Sequence, residues 1–257
     1  MNVQQQPGPI ALVGSGEYLP RMDQVDRLLL DRVGGASARV VVLPTAAGLE
    51  EPASPRRWAQ AGVAHFTRLG ADTEAANILV RQDAFDPRWL QLLETADLIY
   101  FSGGSPRHVI DTMQGSPAWE TITARHAAGA ALAGCSAGAM AFGGLSLQPR
   151  RLWNGAAPAD DIWYPALGLV PNVVVLPHFD RWLSRMADVT LRQLAASLSE
   201  DVTLIGVDED TALVTFDDVT WQVLGRQSVS IIDPEVGQIR YTTGSQIVLR
   251  GEGLLRR

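Results

Sequence analysis

The chain has 257 residues, of which 46% are hydrophobic and 19% charged, with a formal charge of −7 and an isoelectric point near 5.1. That hydrophobic content excludes intrinsic disorder, and the acidic balance argues against a nucleic-acid partner, which would normally meet a basic face. No apolar run approaches the roughly 18 residues of a membrane helix, and the polar start Met1–Pro9 lacks a signal-peptide pattern, so a cytoplasmic protein with no membrane partner is expected. The one cysteine, Cys135, excludes an intrachain disulfide and a CxxC metal or redox motif. All 21 basic residues are arginine. A Ser–Lys dyad, a Schiff-base lysine and a Walker-type phosphate loop are therefore excluded.

Short apolar runs alternate with helical patterns along the chain. Ile10–Val13 reads as a strand ending in Gly14-Ser15-Gly16, and Asp23–Val33 as a helix stopped by Gly34-Gly35. Val40–Leu43 reads as a strand, Pro55–Leu69 as a helix, Ala75–Val80 as a strand and Arg88–Thr95 as a helix. Leu98–Phe101 is a strand running into Gly103-Gly104, followed by helices over Pro106–Met113 and Pro117–Ala128. Ala130–Ala133 is a strand of small residues that runs into Gly134-Cys135-Ser136-Ala137-Gly138. Leu145–Pro171 has little periodicity and reads as a long functional loop with room for a short hairpin. Val173–Leu176 is a buried strand ending at Pro177-His178, and Trp182–Leu198 is helical. From Val202 the texture turns to β, with strands over Val202–Val207, Ala212–Phe216, Thr220–Leu224, Ser228–Ile232, Gln238–Thr242 and Gln246–Arg250.

Near-continuous apolar strands alternating with helices predict an α/β fold with a mostly parallel sheet covered on both faces. The whole chain reads as a single domain, with a core over 10–200 and an antiparallel extension of the same sheet over 201–257. Gly134-Cys135-Ser136-Ala137-Gly138 matches G-x-S-x-G between a strand and a helix start, the setting that lifts a serine oxygen above a sheet edge. The N–H of Ala137 at the helix start, and those of Gly103 and Gly104, could serve a developing oxyanion. Of the four histidines, His178 follows a strand and is expected at the same carboxyl edge as Ser136; His65, His108 and His126 lie in helical patterns. Gly14-Ser15-Gly16 is no dinucleotide fingerprint, because Leu19 stands where the third glycine belongs.

Leu12-Val13-Gly14-Ser15-Gly16, Phe101-Ser102-Gly103-Gly104, the serine elbow, His178-Phe179 with Arg181, and Gly206-Val207-Asp208-Glu209-Asp210-Thr211-Ala212 occur in that order. In this the chain resembles the dipeptidase E / cyanophycinase family of serine peptidases over about residues 10–215. The resemblance implies a flavodoxin-like, class I glutamine amidotransferase-like core with Ser136 as nucleophile and His178 as base. It also implies hydrolysis of a peptide or isopeptide bond next to aspartate, with no cofactor or metal and a small peptide as partner; a homodimer stays open. The family's acidic third residue is expected between the serine and the histidine, where Asp160 and Asp161 are the carboxylates and Asn154 is favoured by spacing. Asp180 and Glu209 are further candidates. Ser105 and Arg181 are candidate substrate-binding residues, with Arg107, Arg150 and Arg151 the other cations near the motifs. Two other readings stay open: an α/β-hydrolase, and a catalytically silent relative that binds a ligand or partner at the same place.

Overall fold

A computed structural model of the chain describes residues 6–148, 162–181, 186–217 and 219–249. Its main sheet, among the described residues, has eight strands. Five are parallel: β1 (Ile10–Val13), β2 (Arg39–Leu43), β3 (Asp72–Ala75), β4 (Leu98–Phe101) and β5 (Ala131–Cys135), in spatial order β1-β5-β4-β2-β3. β6 (Leu145–Leu147) and β7 (Trp163–Pro165) form an antiparallel pair inside the segment expected as a loop. The remaining strands are β8 (Val173–Leu176), β9 (Thr203–Val207), β10 (Thr211–Thr215), β11 (Thr220–Gly225), β12 (Ser228–Asp233), β13 (Gly237–Thr242) and β14 (Gln246–Val248). β10, β11 and β14 extend the main sheet antiparallel beyond β1.

Two expectations are corrected here. The tail is not one extension of the main sheet: β9, β12 and β13 join β8 in a second, four-stranded sheet of order β13-β12-β9-β8. The third strand falls at Asp72–Ala75 and not over Ala75–Val80. It is an edge strand of polar, half-exposed residues, so apolar content did not mark it, whereas the buried Ala76 and Ile78 follow it outside the ladder.

Helices α1 (Asp23–Val33) and α2 (Ala53–Leu69) cover one face of the main sheet. Val25, Leu29, Phe66 and Leu69 pack there on Ala11, Val13, Val40, Val42, Leu98 and Tyr100. The alternate strand residues, Ile10, Leu12, Val41, Leu43, Ile99 and Phe101, point the other way. They meet α3 (Pro87–Glu94), α4 (Pro106–Met113), α5 (Pro117–Ala127) and α6 (Ala137–Phe142), through residues such as Leu93, Met113, Ile122 and Phe142. The same apolar cluster takes in Val173, Val175, Ile205 and Val229 of the second sheet, which is how that sheet is held against the first.

The helix starts are written locally. Asp86, Ser105 and Ser116 each precede a proline, and each side chain accepts a backbone N–H two or three residues on, from Arg88, His108 and Trp119. Proline at the first helical position loses no hydrogen bond, and the cap satisfies one of the orphan donors. The expected helix over Trp182–Leu198 is shorter: α7 spans Asp188–Ala196, with 182–185 outside the described residues. Among the described residues no helix is long and apolar enough to cross a membrane.

Candidate active site

β5 is Ala-Leu-Ala-Gly-Cys, buried throughout, and it delivers Ser136 directly to the start of α6. Ser136 sits at φ 49° and ψ −104°, a backbone conformation rare for a residue with a side chain. The flanking glycines are required by space. A Cβ on Gly134 would stand 2.6 Å from the Gly138 carbonyl carbon, and one on Gly138 would stand 2.8 Å from Phe101 Cβ. Only a chain without side chains at both places can turn this sharply between strand and helix.

Oγ of Ser136 lies 3.0 Å from Nε2 of His178. The expectation that His178 emerges from the same sheet as Ser136 is corrected: β8 belongs to the second sheet. The packing of that sheet on the first brings the end of β8 over the end of β5. Nδ1 of His178 lies 2.8 Å from Oε1 of Glu209, which follows β9, the parallel neighbour of β8. An ionised carboxylate only accepts, so Nδ1 carries the proton and Nε2 is left to accept from the serine hydroxyl. Among the described residues the carboxylate at His178 is thus Glu209, which lies beyond the histidine in the chain. Asn154, Asp160 and Asp161 lie outside the described residues, as do Arg150 and Arg151.

The expected oxyanion donors divide. The N–H of Gly103 donates to Oε1 of Glu17 at 2.9 Å and so is committed elsewhere. Gly104 lines the cleft at φ 143°, where a Cβ would stand 2.4 Å from the Ala46 carbonyl. Ala137 begins α6, whose first N–H groups have no partner within the helix. Ser105 caps α4: its hydroxyl accepts the His108 N–H, and its N–H donates to the Ala46 carbonyl. Arg107 pairs with Asp111 on the helix surface. Arg181 is exposed, with its guanidinium 3.4 Å from the same Glu209 oxygen that meets His178.

Ser136 and His178 open into a cleft of about 570 Å³, walled also by Glu17, Glu50, Arg57 and Trp58. A larger groove of about 760 Å³ runs along α2 away from both residues. Glu17 was missed in the sequence, although it follows β1 at the same sheet edge as Ser136, which was the available signal. Glu17 is 8% exposed, and its carboxylate accepts from Gly103 N–H on one oxygen and from the Cys135 thiol, at 2.9 Å, on the other. Burial pushes the Cys135 thiol well above its ordinary pKa, and the neighbouring Glu17 pushes it further. The cysteine beside the serine is thus held as a neutral thiol. Among the described residues, no group of three or more His, Cys, Asp or Glu could hold a metal ion.

A strained serine, an imidazole within hydrogen-bond reach and a carboxylate behind that imidazole, at the edge of an α/β sheet, make up the constellation of a serine-type hydrolase. The chain belongs to peptidase family S51, whose family model matches residues 10–223. It is accordingly a hydrolase of the peptidase class. It is 29% identical over 235 residues to the cyanophycinase of Trichormus variabilis (strain ATCC 29413 / PCC 7937), covering 88% of this chain and 73% of that one. It is also 29% identical over 254 residues to the cyanophycinase of Thermosynechococcus vestitus (strain NIES-2133 / IAM M-273 / BP-1), covering 93% and 72%. A solved peptidase from an acI-B1 Actinobacterium is 33% identical and superposes with a TM-score of 0.83 over 95% of this chain and 98% of that one. A solved structure from Listeria monocytogenes EGD-e, 18% identical with a TM-score of 0.57 over 93% of this chain and 100% of its own, shares the fold.

Proposed function

We propose that the protein cleaves a peptide or isopeptide bond next to an acidic residue through an acyl-enzyme on Ser136. The observation that carries this reading is the continuous hydrogen-bonded line Ser136–His178–Glu209, at 3.0 and 2.8 Å. Nε2 of His178 takes the hydroxyl proton as Oγ attacks the carbonyl carbon, and Glu209 stabilises the imidazolium that forms. The N–H groups of Gly104 and Ala137 receive the oxyanion. The imidazolium then protonates the leaving amine, and water, activated by the same imidazole, releases the acid. Arg57 in the cleft wall and Arg181 beside Glu209 are the cations available to meet a substrate carboxylate, which a guanidinium fork binds with two hydrogen bonds.

The reading as a silent relative rested on the lack of a carboxylate for His178, and Glu209 removes that ground. The test is a hydrolysis panel of Asp-X, X-Asp and neutral dipeptides, a β-aspartyl-arginine polymer and short acyl esters. Preference for an aspartyl peptide or isopeptide is the expected result. Preference for esters favours the α/β-hydrolase reading, and no turnover of any member favours the silent one.

A further inference from the structure

His178 and Glu209 sit on two separate turns whose backbones do not hold themselves in place. His178 at φ 50° and Asp210 at φ 56° both occupy the left-handed region that residues with side chains rarely enter. Part of what joins the turns is packing. Phe179 N–H donates to the Val207 carbonyl at 3.1 Å, and the buried Phe179 ring fills the space beside Gly206, where a Cβ would stand 2.4 Å from it. Such contacts hold the two turns together but do not fix the peptide groups on either side of Glu209.

The polar contacts are more directed. Oδ1 of Asp180 accepts the Glu209 N–H at 2.8 Å. Gln227, between β11 and β12, donates from Nε2 both to Oδ2 of Asp180 at 3.1 Å and to the Glu209 carbonyl at 3.0 Å. Both groups facing that amide are acceptors, so its NH₂ must point toward them. One side chain on the histidine turn and one from a third turn therefore grip the peptide groups on both sides of the Glu209 Cα.

We infer that Asp180 and Gln227 form a clamp that positions Glu209 against His178, an assignment that rests on the reading of Ser136, His178 and Glu209 as the reacting line. Arg181 also approaches the Oε1 that meets His178, so a shift of the Glu209 backbone that lengthens the His178 contact would leave the carboxylate to that guanidinium and the imidazole unoriented. The charged groups around the two turns include Asp180, Arg181, Asp208 and Asp210; Arg240 faces Asp208, and Asp210 is held by Arg21 and Arg226.

The test uses the full chain and a fluorophosphonate, which needs a working serine and base but no known substrate. The rate of labelling at Ser136 is followed from pH 5 to 9 for wild type, Asp180→Ala, Asp180→Asn and Gln227→Ala. A displaced catalytic group costs on the order of 100-fold, so Asp180→Ala is expected to slow labelling about 10- to 100-fold and Gln227→Ala less. Asp180→Asn, which keeps an oxygen for the Glu209 N–H, recovers part of the rate. The midpoint of the pH profile moves down in Asp180→Ala, because an imidazole that loses its carboxylate gives up its proton more readily. A merely structural role would leave that midpoint in place. Wild-type rate and midpoint in folded Asp180→Ala and Gln227→Ala overturn the clamp; if Asp180→Ala does not fold, the same result in Asp180→Asn and Gln227→Ala does so. If wild type is not labelled at Ser136, the reading of the serine has failed, and the clamp is judged on the downfield His178 Nδ1 proton resonance. That resonance is expected in wild type and lost in Asp180→Ala, and its persistence there overturns the clamp.

Discussion

Nδ1 of His178 lies 2.8 Å from Oε1 of Glu209 across a separation of 31 positions, and the two residues follow neighbouring parallel strands of the smaller sheet, not of the sheet that carries Ser136. The acid behind the histidine is therefore a carboxylate, which stabilises an imidazolium as well as orienting the ring. Glu209→Gln keeps the shape and removes the charge. By comparison with the Asp-to-Asn change in a serine protease triad, it should lower kcat by about 10⁴-fold. Steady-state hydrolysis of the best substrate in the panel measures this; a loss under tenfold would assign the role to another residue.

Ser136→Ala should abolish phosphonate labelling altogether, because among the described residues Ser136 supplies the hydroxyl at the His178 imidazole. Cys135→Ser should leave labelling largely intact, since a hydroxyl can still donate to Glu17. Iodoacetamide at pH 8 should leave native Cys135 unmodified, because burial and Glu17 keep its thiol protonated. Mass spectrometry of the digested protein reads all three outcomes.

Removing the Glu17 carboxylate deprives both the Gly103 N–H and the Cys135 thiol of an acceptor. Glu17→Ala should destabilise the fold by about 1–3 kcal/mol. It should also slow labelling at Ser136 about tenfold or more, because the Gly103-Gly104 turn loses its anchor beside the nucleophile. Glu17→Gln keeps an oxygen for Gly103 and should recover most of the rate. Denaturant midpoints together with labelling rates separate the two effects; an unchanged rate in Glu17→Ala would leave Glu17 a residue of the fold alone.

Asp217 should impose a small acid dependence on stability. The backbone N–H groups of Thr220 and Val219 donate to its Oδ1 and hold its carboxyl below the ordinary carboxylate range. A pKa lowered by folding adds stability that is complete above the unfolded value near ~3.9 and is lost as pH falls through the folded value. Asp217→Asn should therefore cost about 0.5 kcal/mol at pH 7, discounted for exposure, and progressively less below pH ~4. Urea midpoints of the two proteins at pH 7 and pH 3 test the sign.

The parallel strands β1, β2, β4 and β5, the helices opened by Asp86, Ser105 and Ser116, and the serine elbow were all legible in the sequence. Each is set by signals within a few residues: apolar runs, a cap followed by proline, and glycines where a Cβ cannot fit. Edge strand β3 escaped because its residues are polar and half-exposed, so burial left no mark on it. Ser136 and His178 were also within reach, since each follows an apolar strand. What stayed hidden was partnership. An apolar strand records that it is buried but not which strand lies beside it, so nothing within Val173–Leu176 distinguished the second sheet from the first. The approach of Glu209 to His178 follows from that pairing. The hydrogen bonds of Asp180 and Gln227 likewise join residues 29 and 18 positions away from Glu209. Local chemistry is carried in consecutive residues and can be read there, whereas a contact between distant turns exists only once the packing of two sheets has brought them together.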